Sequence, residues 1–299
     1  MTTADINAEY RSWLAELAAR RRFGERDRIG TANLIDDAAR RRGAQAAQRG
    51  RTSSLARPLV SQPSPRGDDR PGFTVEVYYT DGPIGMGSDH VELDCHGRDN
   101  THIDAINHIG VDRTWYAGWP VDDPDGPSVA HLAEHGLVTR GILVDVPALR
   151  GTDWVDPEHP VTAADLDAAL AAGGVELLAG DALLLYMGRD RYEAAGHRFG
   201  ALTEGAVMPG PGWSAARWMV DRGVSVLCWD FLDSNHPSEP MASVHLLIWG
   251  TGLILVDNCD LSTAATAAQA SGTIEGCLVV APLAIPGGTG CAVRPVFVQ

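Results

Sequence analysis

The sequence predicts an α/β or α+β fold with a mixed sheet and flanking helices. The chain has 299 residues, of which 44% are apolar and 21% are charged, a composition typical of a soluble globular domain with a substantial core. Short β-rich runs alternate with a few helical segments in the last three quarters of the chain, and the strands outnumber the helices. Because no internal repeat and no long linker interrupts this pattern, we expect a single domain over residues 1–299.

The N-terminal quarter is predicted to contain a helix and a proline-rich loop. Apolar residues recur at three- and four-residue steps in residues 6–22, at Tyr10, Trp13, Leu14 and Leu17, which predicts an amphipathic helix. Residues 1–22 therefore form a helical extension. Residues 58–73 contain four prolines and little apolar content, which predicts a loop or flap.

Six strands and two helices are predicted beyond this loop. The helices are 162–172 and 213–222, and the first opens with Thr162 and Asp165 at capping-box spacing and ends at two glycines. The predicted strands are Thr74–Tyr79, Gly141–Val146, Ala182–Met187, Val224–Trp229, Gly252–Val256 and Leu278–Pro282.

The charge composition excludes several classes of function. The 24 basic residues are all arginine and face 39 acidic residues, which gives a net charge of −15. This balance argues against nucleic acid or an anionic membrane as the main partner. With no lysine, the chain cannot form a pyridoxal Schiff base or supply the lysine of a phosphate loop.

The cysteines and the hydropathy pattern predict a cytoplasmic protein. The five cysteines are scattered and never form a C-x-x-C pair, so a disulfide framework or a zinc knuckle is not expected. The N-terminus lacks an apolar signal core. The longest apolar stretch, Leu246–Val256, is interrupted by Gly-Thr-Gly and is too short to span a bilayer.

The strongest candidate for chemistry is the histidine-rich segment DCHGRDNTHIDAINHIG. His102 and Asp104 are two residues apart, so on a strand both side chains emerge on one face. Imidazole and carboxylate ligands together suit a Zn or Mn centre. His108 follows four residues later, where a turn could bring it over the same pocket as a base. The alternatives are that these residues cap a helix, form a surface cluster, or include a core histidine whose ring nitrogens are hydrogen-bonded.

A second candidate pair lies far downstream. His245 precedes the apolar run LLIWGTGLILV and Asp257 follows it. The run is predicted to be a buried, hairpin-like stretch, and a polar residue at each end would be costly without a partner. Simple capping of strand ends is the alternative.

Other catalytic motifs are not found in the sequence. No G-x-S-x-G elbow is present. The glycine-rich segment PGGTGCAVRP at 286–295 lacks the phosphate-loop lysine and is predicted to be a turn before the last strand.

Several segments resemble the cyclase superfamily that includes bacterial kynurenine formamidase and isatin hydrolase, in its longer branch of about three hundred residues. The resemblance runs from Phe23 to Pro295, and the twelve-residue spacing of His245 and Asp257 is similar to that of the family's His and Glu. The matching segments are FGERDRIGTANLI, HG-x-x-x-THIDA-x-x-H, WYAG at 115–118, HGLVTRGILVDV, AGDALLLYMG and MPGPGWSAARWMVDRGV.

The resemblance implies a swivelling β/β/α fold in one cyclase-like domain, commonly assembled as a homodimer or homotetramer. It also implies that His102 and Asp104 are metal ligands and that His108 is the general base. His245 and Asp257 would complete or bridge the site.

Three departures from the family pattern bear on the site. Arg98 stands four residues before His102, where the short branch has a ligand, and His96 is the substitute. Asn100 stands where relatives have Gly or His, and Asp257 replaces Glu. Arg98 would disfavour a second dication and welcome an anionic substrate or oxyanion, and we place Asn100 beside the substrate with it.

These observations predict a metal-dependent hydrolase that opens an amide, lactam or aryl-formamide bond. The divalent cation would be Zn or Mn, and the substrate a small molecule, of flat aromatic type if Trp115 and Trp119 wall the pocket. Core packing is the alternative role for these two tryptophans. The second hypothesis is a non-hydrolytic, metal-dependent cyclase or dehydratase in specialised metabolism. The third is a catalytically inactive protein that binds a small molecule.

Overall fold

The computed structural model describes residues 3–61, 72–199, 207–234, 236–240 and 242–299, with the backbone alone for residues 3–10. Its helices are α1 (Thr3–Ala19), α2 (Asp37–Ala46), α3 (Val129–Ala133), α4 (Val146–Arg150), α5 (Ala163–Gly173), α6 (Arg189–Ala194), α7 (Trp213–Arg222), α8 (Leu246–Thr251) and α9 (Ser262–Ser271). Two short 3₁₀ turns cover Gly30–Leu34 and Tyr116–Gly118. The strands are β1 (Thr52–Ser54), β2 (Phe73–Thr80), β3 (Met86–Leu93), β4 (His102–Asp104), β5 (Leu137–Asp145), β6 (Ala182–Tyr186), β7 (Val226–Trp229), β8 (Ile254–Asp257), β9 (Glu275–Val280), β10 (Gly290–Ala292) and β11 (Val296–Val298).

Nine strands form one mixed sheet in the order β1-β11-β9-β5-β6-β7-β8-β4-β10. The neighbours β5, β6, β7 and β8 run parallel, and the other pairs in this sheet are antiparallel. The short strand β4 lies between β8 and β10 near one edge. The predicted mixed sheet with flanking helices is therefore confirmed.

Helices cover both faces of the parallel centre, which explains why its strands are apolar throughout. Leu183 and Leu185 of β6 face one core together with residues of α1, α5, α7 and α8. Leu184 and Tyr186 of the same strand face the second core, which α2 and α9 help to close. The N-terminal helix joins the first core through Trp13 and Leu17, both fully buried, while the side chain of Tyr10 lies outside the described part.

The capping signals operate as the sequence predicts. Thr162 and Asp165 form the reciprocal capping box of α5, and Gly174 ends that helix in the left-handed conformation at φ 64°. The helix predicted over 213–222 is α7, with the same bounds.

The prediction of a hairpin-like stretch after His245 is wrong, because this run is a helix followed by a strand. Residues Leu246–Thr251 form α8, Gly252 ends it at φ 73°, and Ile254–Asp257 form β8. The reason is topological, since β8 pairs in parallel with β7 and a parallel neighbour requires a crossover rather than a hairpin. His245 consequently sits at the start of a helix, not at the end of a strand.

Strands β2 and β3 form a separate two-stranded antiparallel sheet, named here the ribbon (residues 73–93). It leads directly into the histidine-rich segment. The proline-rich loop predicted for 58–73 precedes it, and residues 62–71 of that loop lie outside the described residues. Within the described ranges, no helix is long and apolar enough to cross a membrane.

Candidate metal centre

Strand β4 carries the centre of the candidate site. His102 and Asp104 are buried on the same face of this strand, as the H-x-D spacing predicts. On one side β8 pairs with β4 so that Asp257 lies opposite His102. On the other side β10 pairs with it so that Gly290 lies opposite Asp104.

The residues just before β4 bring a third imidazole to the same place. The ring of His96 hydrogen-bonds the Thr289 hydroxyl through Nε2 at 2.9 Å, while its Nδ1 lies 3.0 Å from Asp104 Oδ1. Gly290 makes room for this ring, because a Cβ there would lie 2.8 Å from His96 Cε1 and 2.3 Å from the Ile103 carbonyl oxygen. The turn predicted over 286–295 is in part wrong, because Gly290–Ala292 form β10 against β4. No sequence signal predicts Thr289 for the site.

Four histidines surround the fully buried carboxylate of Asp104. His96 Nδ1 and His102 Nε2 lie 3.0 and 3.5 Å from Oδ1. His108 Nε2 and His245 Nε2 lie 3.8 and 3.9 Å from Oδ2. Asp104 therefore stands between two groups of imidazoles, one on each oxygen.

The downstream side of the site is assembled from three separate elements. His245, at the start of α8, donates its Nδ1–H to Asp233 in the loop after β7, and its Nε2 lies 3.2 Å from Asp257 Oδ2. Trp229 at the end of β7 donates its indole N–H to the other oxygen of Asp257. His245 and Asp257 are predicted for the site from the sequence, whereas Asp233 and Trp229 are not. The only sequence signal for the latter two is that Trp229 ends the predicted strand Val224–Trp229 and that Asp233 follows shortly after it.

Hydrogen bonds on the outer ring nitrogens orient three of the imidazoles. His102 donates its Nδ1–H to the Asn100 carbonyl at 2.9 Å, which directs Nε2 toward Asp104. The Thr289 hydroxyl and the Asp233 carboxylate do the same for His96 and His245. Such partners fix ring orientation and tautomer in metal sites.

The opposite charges in the cluster shift the pKa values of its carboxylate and imidazole groups. Burial alone would raise the pKa of Asp104, but the surrounding imidazoles, His108 foremost, hold it well below its usual value. Burial disfavours the imidazolium of His96, yet the Asp104 and Cys95 side chains outweigh this and raise its pKa to about 10. For His245, Asp233 and Asp257 likewise outweigh burial and raise the pKa. Burial dominates at His108 and lowers its pKa.

The donor set fits a divalent cation. The ligand atoms of two groups, one of His96, His102 and Asp104 and the other of Asp104, His108 and His245, each lie within 4.8 Å of one another. Among the described residues, neither oxygen of Asp104 accepts a hydrogen bond of ordinary geometry, although a buried carboxylate normally requires such partners. A cation bound by imidazole nitrogen and carboxylate oxygen satisfies that requirement, as in Zn and Mn centres.

The other residues predicted for the site have varied surroundings. Arg98 is partly buried with its guanidinium 5.9 Å from the Phe199 ring, and burial lowers its pKa. Asn100 is fully buried, and its amide pairs with the backbone of Val60 in both directions at 2.9 Å. Asn100 therefore anchors the beginning of the proline-rich loop at Val60.

The two tryptophans that follow the histidine-rich segment, Trp115 and Trp119, differ in their exposure. Trp115 lines a surface cavity of about 470 Å³ together with Asn107 and Thr289. Trp119 is buried, and its indole N–H donates to the Asp27 carbonyl. Trp115 thus borders an open cavity, while Trp119 packs in the core.

Comparisons with known proteins agree with this fold. A crystal structure described as a novel cyclase superposes with a TM-score of 0.78 at 23% identity, covering 93% of this chain and 96% of that one. Isatin hydrolase A from Ralstonia solanacearum superposes with a TM-score of 0.57 at 19% sequence identity, covering 85% of this chain and 94% of that one. Isatin hydrolase A from Labrenzia aggregata, bound to benzyl benzoate, superposes with a TM-score of 0.56 at 17% identity, covering 83% of this chain and 93% of that one.

Among curated proteins, no sequence matches this chain. The family model for the cyclases matches residues 29–236, which is more than half of the chain. The match includes the whole of β4 together with His96, Arg98 and His108, and it ends before His245 and Asp257. On that match, the chain belongs to the cyclase family.

Proposed function

We propose that the protein is a metal-dependent hydrolase that opens an amide, lactam or aryl-formamide bond in a small aromatic substrate. The observation that carries this proposal is the buried Asp104 carboxylate, which has four imidazoles around it and no ordinary hydrogen bond among the described residues. This arrangement is typical of a site for a Lewis-acidic cation. Membership of the cyclase family, whose fold the isatin hydrolases share, supports the same reaction class.

His96, His102 and Asp104 would hold the cation, and Zn or Mn suits these ligands. When bound, such a cation polarises a carbonyl group and makes water acidic enough to deprotonate near neutral pH. The outer hydrogen bonds to Asn100 and Thr289 keep the two rings in place. We assign to His245 and Asp257 one of two roles: they would bind a second metal ion more weakly, or they would orient water and substrate.

His108 would serve as the general base. Its side chain is about 25% exposed and its Nε2 lies 3.8 Å from Asp104 Oδ2, so it borders the cluster and remains accessible to a substrate. Its ring stacks on His96 with centroids 4.3 Å apart, which fixes its plane. It would take a proton from the attacking water and return it to the leaving nitrogen, a role worth roughly 10²- to 10⁴-fold in rate.

The surroundings of the cluster favour an aromatic substrate. Trp115 offers an aromatic wall, and Arg98 offers a positive charge for a carboxylate or a developing oxyanion. Related structures contain aromatic molecules, namely benzyl benzoate and the product analogue thioisatinate. The proposed substrates are accordingly N-formyl anilines and cyclic aryl amides.

The test combines metal content with turnover. We expect one or two equivalents of Zn or Mn per chain by elemental analysis, and hydrolysis of N-formyl anilines or cyclic aryl amides that a chelator stops and added metal restores. His108→Asn should retain the metal and lose about 10²-fold or more in turnover. Full activity in metal-free protein would refute the proposal. Bound metal without turnover on amides, lactones and esters would point to cyclisation or dehydration instead.

A further inference from the structure

Two imidazoles of the upstream ligand group are joined by an irregular run of five residues. This run, named here the connecting segment, covers residues 97–101 between His96 and β4. Six residues in a fully extended chain span about 20 Å, whereas the rings of His96 and His102 have their centroids 5.2 Å apart. The connecting segment therefore folds back, and this turn brings both rings to Asp104.

Asn258 bonds three of the five residues in the connecting segment. It directly follows β8, and its side-chain amide donates to the carbonyl groups of Gly97 at 2.9 Å and Asn100 at 3.1 Å. Its own carbonyl accepts a hydrogen bond from the Thr101 hydroxyl at 2.8 Å. The Asn100 carbonyl is also the acceptor for the Nδ1–H of His102. Asn258 thus holds the backbone group that orients one of the candidate ligands.

Arg189, the first residue of α6, bonds both Asn258 and the middle of the connecting segment. Its guanidinium donates to Asn258 Oδ1 at 2.8 Å and to the Arg98 carbonyl at 2.6 Å. Two further bonds lead to the Asp230 carbonyl at 3.1 Å and to Glu193 Oε1 at 2.8 Å. Four acceptors in different directions match the planar donor fork of arginine, and the compact ammonium of lysine cannot reach them all.

The complete burial of Arg189 makes these bonds obligatory. Among the described residues it is the one arginine whose side chain is fully buried. A buried charge is costly unless it is paired and hydrogen-bonded. Glu193 supplies the opposite charge, and the Phe199 ring covers the guanidinium at 4.4 Å. Because the Arg98 carbonyl is one of its acceptors, the guanidinium is satisfied only while the connecting segment keeps this turn.

The loop after β7 fixes the position of Arg189 in turn. The Asp230 carboxylate accepts three backbone N–H groups at the end of β6 and the start of α6, and that of Arg189 is one of them at 3.0 Å. Trp229, the residue before Asp230, donates to Asp257. The elements that support the downstream ligand therefore also support the contact to the connecting segment.

We propose that Arg189 and Asn258 are positioning residues that fold the connecting segment back, so that His96 faces Asp104 together with His102. Both act through backbone carbonyl groups of the segment and contribute no ligand atom. When either contact is lost, His96 should move away from Asp104, whereas His102 should stay, because β4 is paired with a strand on each side. The inference rests on the proposed metal centre and does not depend on the hydrolytic reaction.

Three variants separate the contacts of the two residues. Asn258→Gly removes the side chain and keeps the backbone, since glycine adopts the left-handed φ of 54° without strain. Asn258→Asp retains an acceptor for Arg189 and loses the amide donor. Arg189→Lys keeps the charge and loses the fork.

The matched control is Arg140→Lys. Arg140 is also largely buried and donates to the carboxylates of Asp181 and Glu275. Asp181 directly precedes β6 and Arg189 lies beyond its other end, so the control changes an arginine network at the opposite end of the strand.

The first experiment measures the accessibility of the His96 ring in metal-free protein. Both ring nitrogens of His96 are engaged, so diethyl pyrocarbonate should modify this ring slowly in wild type. We expect modification to be about 10-fold faster or more in each of the three variants, because hydrogen bonds that hold the segment are lost. The control should match wild type. Tryptic cleavage after Arg98 separates His96 from His102 for mass spectrometry, and the exposed ring of His159 is the internal reference.

Two results of this experiment would overturn the proposal. One is slow modification of His96 in all three variants. The other is an equal acceleration at the buried His102, which would indicate general loosening instead of a role in positioning. Circular dichroism verifies folding, and if Arg189→Lys fails to fold, the two Asn258 variants decide the outcome.

The second experiment measures the consequence for the metal. Calorimetric titration of Zn or Mn into stripped protein should show the tight upstream site weakened about 10-fold or more in the three variants, with the Arg140→Lys control unchanged. Cobalt-loaded Asn258→Gly should give the visible spectrum of His96→Ala and not that of wild type, because the same imidazole is lost. Faster modification of His96 with undiminished tight binding and an unchanged spectrum would overturn the proposal. If wild type binds no metal, the hydrolase proposal fails, while the modification of His96 still decides the role of the two residues.

Discussion

The two sides of the candidate metal centre are built in different ways. On the upstream side, His96, His102, Asp104 and His108 lie within thirteen residues around one short strand, and backbone groups do much of the positioning. On the downstream side, His245 and Asp257 come from different elements and are held by the side chains of Asp233 and Trp229. The upstream side, where the Thr289 hydroxyl on His96 is the one side chain described above that orients a ligand ring by a direct hydrogen bond, should therefore depend less on directly bonded side chains than the downstream side does.

The largest loss of metal affinity is expected from a substitution at Asp104, where the two sides meet. Asp104 contributes one oxygen to each group of ligands, so Asp104→Ala should abolish tight metal binding on both sides. Elemental analysis and calorimetry measure this loss, and Asp125→Asn, at an exposed position, is the control. Tight binding that persists without Asp104 would mean that the two sides are independent sites.

Removing one imidazole from each side compares the sides directly. We expect His96→Ala to eliminate one tight site, because it removes one of the three ligands of the upstream group. His245→Ala should leave that site tight and remove only a weaker one. Titration of Zn or Mn into stripped protein by calorimetry separates these outcomes. Undiminished tight binding in His96→Ala, or two tight sites of equal affinity in wild type, would contradict the assignment.

The dependence of the downstream side on neighbouring side chains is tested at Asp233. This carboxylate accepts hydrogen bonds from His245 Nδ1 and from the Val244 backbone N–H, and we expect it to orient the ring. Asp233→Asn should weaken the downstream site about 10- to 100-fold, the usual effect of losing such a partner, with the upstream site unchanged. An equal loss at both sites would indicate a general structural role for Asp233. Unchanged affinity at both would show that His245 needs no orienting partner.

The same contrast explains what could be predicted from the sequence. The H-x-D spacing predicts that His102 and Asp104 share one face of a strand, and the apolar runs predict the strands that form the centre of the sheet, because both patterns are local in the sequence. The connection between β7 and β8 was mispredicted, since the direction of β8 depends on its pairing and not on its own residues. Asp233, Trp229 and Thr289 were missed because each reaches the site through tertiary packing, without a local motif.

The smallest effect is expected at an acidic residue remote from the cluster, where charge has a purely structural role. Asp165 caps α5 and receives two hydrogen bonds from Arg150, at 2.7 and 3.1 Å. Burial would raise its pKa, but these bonds and those from Thr162 outweigh it and lower the pKa below the usual 3.8. Because the folded-state pKa lies below the unfolded value, Asp165 stabilises the fold above about pH 4 and loses this contribution as the pH falls further. Asp165→Asn should therefore lower the free energy of unfolding at pH 7, as measured by urea unfolding. The difference in this free energy between the variant and wild type should be smaller near pH 3. Metal binding at pH 7 should stay unchanged, and a loss of metal in this variant would show that the cluster depends on distant packing on both of its sides.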